Sequence, residues 1–335
     1  MDGIRRHAKD GATTLRFHPP IRDSFAAVHI TPRSKTTAFT CLQPELREDE
    51  ICAFLRGGST RDININKPEA ACDLKIVCVP TDGRGGMFVA ERTFSGILAE
   101  LDADPWVEHL IQTSAYGFHY SGPATSGMAT YFLGTTFVWA VWTTRPEKAG
   151  YTTRCLFVVP KPDAVSIHHR IRGLVRCLTA CEHNSQSWAY LPFALSLDVL
   201  RYRERSLLQC LDIIRDVEAK TGHGSWGVTG LFVEDRDHIT NLTSRLGTAL
   251  NKNGTTLKHL NIVESIWNYL ENHLSKAEED DADSHQFLSA IDILRRQSSG
   301  AREQAQYLDL RIRSQSSVVS FTCTLLRLAA REPQR

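Results

Sequence analysis

This chain has almost no net charge: its 335 residues carry 39 basic and 38 acidic side chains, a formal +1. That balance excludes a global attraction to nucleic acid or to a lipid surface. Paired cysteines are missing as well. The nine cysteines are scattered, with no CxxC pair and no dense framework, which is the pattern of reduced thiols in a cytosolic protein. The start, Met1-Asp2-Gly3-Ile4-Arg5-Arg6-His7, lacks the apolar core of a secretory signal. No apolar run reaches the roughly 20 residues needed to cross a bilayer. The two longest candidates are Tyr131–Trp142 and Val318–Ala330. The first is rich in aromatic and β-branched residues and reads as one buried strand. The second contains Arg327 and runs into Arg331-Glu332-Pro333. There is no GxSxG elbow, HExxH pair or kinase signature, and no internal repeat of about 20–50 residues. No spacing places two carboxylates in one cleft. The expectation is a protein that is not an enzyme and needs no cofactor.

What the chain does have is a long seven-residue repeat at its C-terminal end. Phe287, Leu294, Ala301 and Leu308 form one apolar series, and Ile291, Ala305, Ile312, Val319 and Leu326 form its partner. Ser298, Gln315 and Thr322 interrupt the two series. Such a repeat lays a narrow apolar stripe on one helix and calls for another helix against it. At 1.5 Å per residue, a helix over 284–329 is about 70 Å long.

Composition divides the chain into three regions, which add up to an α+β protein. Residues 1–73 are polar and irregular, with one short helix over 48–56. Residues 74–162 form a mixed α/β domain. Its strands are expected over 74–80, 87–91, 131–142 and 154–160, with helices over 94–101 and 105–112 and a hairpin loop at Arg145–Gly150. Residues 163–335 are helical: 164–182, 191–220, 236–274 and the stalk-like helix 284–329. Thr221-Gly222 marks the end of the second of these, glycine being the usual residue just past a helix terminus. In the third, Leu242, Leu246, Leu250, Leu257, Leu260, Val263, Trp267 and Leu270 line one stripe, while Gly247 and Gly254 each weaken the helix by about 1 kcal/mol relative to alanine.

Four clusters have the residue types of a site. The acidic run Glu278, Glu279, Asp280, Asp281 and Asp283, at the hairpin tip 277–284, supplies the oxygen ligands that hard cations such as Mg²⁺ prefer. It lacks the spaced ligands and central glycine of a calcium loop, so it reads first as a solvated tip and second as a weak cation cluster. Cys177 and Cys181 share a helical face while His183 points away, which fits two small core thiols better than tetrahedral zinc. His168 and His169 are adjacent on a helix and point apart. Asp82-Gly83-Arg84-Gly85-Gly86 has the glycine density of a phosphate-cradling loop, but a second apolar stretch follows it, so a hairpin turn is expected.

Two further segments carry a family resemblance. Asp216-Val217-Glu218-Ala219-Lys220-Thr221-Gly222 and Tyr307–Val319 resemble, respectively, the helix-ending E-x-x-T-G and the stalk of fungal CorA-like divalent-cation transporters. Leu191-Pro192-Phe193 before a charged helix fits the same pattern. The resemblance spans about Leu74–Phe321. It implies a cytosolic domain that oligomerises through its stalk helix, either with itself or with a membrane-bound relative. It also implies divalent cations between protomers that hold a closed state. The Gly-Met-Asn motif of that family does not occur in this chain. The expectation is therefore a soluble relative keeping the regulatory part, or a product cut short before the pore. The other reading is a soluble helical scaffold.

Overall fold

The computed structural model describes residues 15–21, 23–32, 39–57, 73–82, 86–122, 128–147, 150–160, 164–180, 188–222, 236–275 and 282–329. The fold is α+β, a mixed sheet followed by long helices. The chain forms two compact units, Met1–Asp198 and Val199–Arg335.

The first unit is organised by a ten-stranded sheet. Its strands are β1 (Arg16–Phe17), β2 (Phe25–Pro32), β3 (Phe39–Leu42), β4 (Glu45–Leu46), β5 (Leu74–Thr81), β6 (Gly86–Met87), β7 (Gly117–Ser121), β8 (Ala129–Gly134), β9 (Trp139–Glu147) and β10 (Gly150–Pro160). The main path runs β1-β6-β5-β10-β9-β8-β7, and β2 joins β5 and carries β3 and β4. From β7 to β10 the strands form an antiparallel meander, whereas β5 and β10 lie parallel over eight register pairs, Thr153↔Leu74 to Pro160↔Thr81. Parallel neighbours require a crossover. The chain between them supplies it with α2 (Glu91–Leu101) and α3 (Trp106–Gln112). These helices and α1 (Ile51–Arg56) bury Ile51, Phe54, Phe94, Ile97, Val107 and Ile111 in one core with Val77, Val79, Phe132, Val141, Leu156 and Val158 of the sheet. Residues of opposite pleat, Ile76, Cys155, Phe157 and Trp142, are equally buried. Both faces of the central strands are therefore covered, as a sheet with a parallel pair requires. On that second face the rings of Phe118, Tyr131 and Trp142 stack, with centroids 5.1–6.4 Å apart. Later in this unit α4 (Ala164–Ala180) buries Ile171, Leu174, Cys177 and Leu178.

Three expectations for this unit are corrected. Of the strand expected over 87–91 only Met87 is strand, and Glu91 already opens α2. Residues 1–73 are not wholly irregular: β1–β4 lie within them, and β2 pairs with β5 through Ala27↔Val77 to Ile30↔Leu74. Strands of two to eight residues, flanked by Pro19, Pro20 and Pro44 and with Pro32 closing β2, show too little periodicity to be read alone. The apolar run 131–142 is two strands rather than one, turning at Thr135. The Thr135 hydroxyl accepts from the amides of Phe137 (3.3 Å) and Val138 (3.1 Å) and donates to the Val138 carbonyl (3.0 Å). A side chain–backbone turn of this kind needs no Pro or polar cluster. Gly134 precedes it because a Cβ there would sit 1.9 Å from the Ala115 carbonyl oxygen. At the ends of the expected hairpin turn, the Gly86 amide donates to the Asp82 carboxylate and the Asp82 amide to the Gly86 carbonyl, each at 2.9 Å; 83–85 lie outside the described residues.

The second unit consists of the rest of α5 (Tyr190–Thr221), then α6 (Arg236–Leu274) and α7 (Ala282–Ala329). Hydrogen-bond offsets give their directions. Gln297–Glu204 and Arg311–Glu218 are both 93 residues apart and Gln315–Thr221 is 94, a constant offset that makes α5 and α7 parallel. Lys252–Gln209 and Arg245–Asp216 show the opposite trend, 43 and then 29, so α6 runs antiparallel between them. The result is an up-down-up arrangement. Its core joins Leu207, Cys210, Ile214 and Val217 to Leu242, Leu246 and Ala249 and to Ala305, Leu308, Ile312 and Val319. The seven-residue stripe of α7 is thus packed against the unit's own helices. The α6 stripe is corrected at Leu250, which is 39% exposed, while Asn253, Thr256 and His259 are buried. Among the described residues, no helix is long and apolar enough to cross a membrane.

Candidate functional site

The acidic run can be placed only in sequence. Glu278, Glu279, Asp280 and Asp281 lie outside the described residues, and Asp283 stands in the first turn of α7 with its side chain undescribed. Of the cysteine–histidine group, Cys177 is buried, while Cys181 and His183 lie outside the described residues. His169 is exposed, and the side chain of His168 is undescribed. Among the described residues, no three His, Cys, Asp or Glu side chains converge as metal ligands.

What the fold does bring together is the pair of segments that carry the family resemblance. Glu218 on α5 faces Arg311 on α7, 93 positions later. The guanidinium Nε donates to Oε1 at 3.0 Å and Nη2 to Oε2, a two-pronged pair. The two side chains are 7% and 15% exposed, so the charges meet largely out of water. The carboxylate's hydrogen bond holds the Arg311 guanidinium pKa above its ordinary value, outweighing burial. One turn further on, the Thr221 hydroxyl donates to the Gln315 amide oxygen at 3.0 Å. Gln315, an interruption of the apolar stripe, is 4% exposed. Gly222 then ends α5 with φ of 68°, the left-handed conformation in which glycine is favoured. Arg311 also sits over the Tyr307 ring, 5.5 Å from its centroid.

On the α6 side of this seam, Asp216 accepts from Arg245 across the helices and pairs with Lys220 at 3.0 Å on its own helix. Burial pushes the Asp216 carboxyl up, but these two cations bring it below its usual value. Further along α7, Arg295 donates to Glu264 (2.9 Å), to both oxygens of Glu271 (2.6 and 2.8 Å) and to Asn268 (3.1 Å). Between these clamps, buried Asn253 donates to the Ala305 carbonyl at 2.7 Å. The third stripe interruption, Thr322, bonds back to Val318 (3.0 Å).

A second polar node lies in the first unit, at the C-terminal end of α1. Lys75, 4% exposed, donates to the Phe54 carbonyl at 2.8 Å, and Arg154 donates to the Leu55 carbonyl at 2.7 Å. These are among the last carbonyls of a short helix, where cations are favoured. Asp73 balances the two charges, 2.5 Å from Arg154 and 3.7 Å from Lys75, with His29 at 3.2 Å. Burial raises the Asp73 pKa, but the His29 bond and the two cations outweigh it and leave the carboxyl below its usual value.

Chemically, both nodes tie structure together. Each carboxylate named is held by a guanidinium or an ammonium group rather than set beside a nucleophile. The buried thiols are similarly quiet: burial pushes Cys78 up to about 12 and raises Cys155 and Cys210, so little reactive thiolate forms. Of these polar groups, sequence reasoning picked out the two halves of the α5–α7 seam separately and missed their pairing. Neither segment carries a local signal of the other, since 93 positions separate Glu218 from Arg311. The Asp73 node left no signal, because its four side chains come from three separate segments, β2, the start of β5 and β10. No protein family matches this sequence, and no curated protein does either.

Proposed function

We propose that the protein is a non-enzymatic, CorA-like cytoplasmic domain. In this reading its long α7 is a stalk coupling subunit arrangement to a divalent cation such as Mg²⁺. One observation carries the proposal: the two segments resembling the family, Asp216–Gly222 and Tyr307–Val319, are joined by the Glu218–Arg311 and Thr221–Gln315 contacts. A stalk held to the body at that point transmits displacement of the body along its length. The acidic run Glu278–Asp283 spans, in sequence, the end of the α6–α7 connection and the first turn of α7, and a cation drawn there shifts the population toward whichever subunit arrangement it prefers. The partners in this reading are further copies of the chain or a membrane-bound relative.

A soluble scaffold is the second reading. It is favoured by the burial of Ala305, Leu308, Ile312 and Val319 within the unit, which leaves the main stripe of α7 unavailable for assembly. Light scattering of the purified protein with and without millimolar Mg²⁺ separates the two. A larger closed assembly that forms with Mg²⁺ and reverses with chelator is expected. A mass that ignores the cation would favour the scaffold.

A further inference from the structure

Midway along α6 the composition works against a helix. From Gly247 to Thr256 the chain reads Gly-Thr-Ala-Leu-Asn-Lys-Asn-Gly-Thr-Thr. Seven of these ten residues are glycine, asparagine or threonine, all poor helix formers. Thr248, Thr255 and Thr256 each return their hydroxyl to the carbonyl four residues back, at 2.8–3.0 Å, a bond that weakens a helix rather than supporting it. Neither glycine is required by its surroundings. A Cβ at Gly247 or Gly254 would meet nothing within 4 Å, and neither residue has a positive φ.

Packing does not offset this weakness. Ala249 is the one buried apolar side chain of the stretch, and Leu250 is 39% exposed. Its ties to the neighbouring helices are polar. The Cys210 thiol donates to the Ala249 carbonyl at 3.0 Å, Lys252 to the Gln209 amide oxygen at 2.9 Å and Asn253 to the Ala305 carbonyl at 2.7 Å. The Thr256 hydroxyl lies 3.4 Å from that of Ser206. On either side α6 is held more firmly. Before the stretch, Ile239, Leu242 and Leu246 are buried and Arg245 holds Asp216. After it, Leu260, Val263, Ile266 and Trp267 are buried, and Glu264 and Glu271 hold Arg295.

A helix opens first where buried apolar contact is least and backbone preference weakest. We propose that α6 carries a built-in hinge at Gly247–Thr256, which melts and reforms while the clamped arms on either side stay folded. Opening releases Ala305, near the middle of α7, from Asn253 and brings the Cys210 thiol, 0% exposed in the closed form, to solvent. The hinge needs no metal and does not depend on the family reading.

Native-state hydrogen exchange of the full-length protein, resolved by site with mass spectrometry over a series of low denaturant concentrations, tests it. Amides of 250–256 should be protected at least about tenfold less than those of 262–270, through an opening that low denaturant barely changes. Alkylation of Cys210 by iodoacetamide should follow the same opening and run ahead of that of buried Cys78 and Cys155. Gly247→Ala and Gly254→Ala should each raise protection in the stretch and slow Cys210 alkylation about five-fold, and together about 25-fold. Equal protection across 250–270, with one shared denaturant dependence, would mean that α6 opens only as a whole and would overturn the proposal. Glycine replacements that leave Cys210 alkylation unchanged would overturn it as well.

Discussion

The two units solve one problem, fixing the register of neighbouring elements, by different means. In the sheet unit the central strands are apolar on both faces, and the buried polar side chains are mostly threonines, bonding within a turn, as Thr135 to the Val138 carbonyl at 3.0 Å, or to a neighbouring helix, as Thr143 to the Leu101 carbonyl at 2.7 Å. In strands apolar on both faces a slip of one residue exchanges apolar for apolar, so register here rests on close packing, such as Gly134 against the Ala115 carbonyl, and on bonds between elements. Helices packed along a seven-residue stripe meet the same ambiguity, since a slide of one repeat returns apolar to apolar. The helical unit answers with polar clamps along its length: Glu218–Arg311, Thr221–Gln315, Asn253–Ala305 and the Arg295 cluster. Each is satisfied in one alignment only. The polar breaks in the stripe of α7 include one of the places where alignment is specified: Gln315, 4% exposed, accepts from Thr221.

This contrast can be broken at its tightest point first. In the sheet unit close packing is expected to dominate. Gly134→Ala places a Cβ 1.9 Å from the Ala115 carbonyl oxygen, backbone against backbone, with no flexible side chain to give way. A loss of about 3 kcal/mol is expected in denaturant unfolding; a variant as stable as the parent would mean the end of β8 is looser than described. The next effect comes from the charged node. Asp73→Asn leaves Lys75 and Arg154 without their balancing carboxylate, and about 2–3 kcal/mol should be lost at neutral pH. Because the folded carboxyl titrates below its unfolded value of about 3.9, its contribution is fully present above that pH. It fades as pH falls through the folded value. Parent and variant stabilities should therefore converge below about pH 4, and a gap unchanged down to pH 2 would remove Asp73 from the account.

How much of this was legible beforehand follows from the range of the forces involved. The helices α5, α6 and α7 were readable to within a residue or two, because periodicity and the Thr221-Gly222 stop are local signals. So were β5 and β10. Short strands such as β1 and β4, of two residues each, depend on partners far along the chain and carry no pattern of their own. The turn at Thr135 was hidden by its apolar surroundings, since a single hydroxyl makes it. Leu250 misled because polar Asn253, Thr256 and His259 occupy the interior that leucine was assigned to. For the candidate site, Glu218 and Arg311 were each inside a segment singled out by resemblance. Their pairing belongs to tertiary structure, and the Asp73 node belongs to it entirely.

The smallest effect is also the most direct test of the claim that polar contacts set the alignment of α5 with α7. A double-mutant cycle on Glu218→Leu and Arg311→Met, followed by equilibrium unfolding, isolates the term. Each single change strands a mostly buried charge and should cost more than the double change, with a coupling of about 1–2 kcal/mol between the two positions. Strict additivity would contradict the account, because it would mean that α5 and α7 hold their register without the contact that joins them.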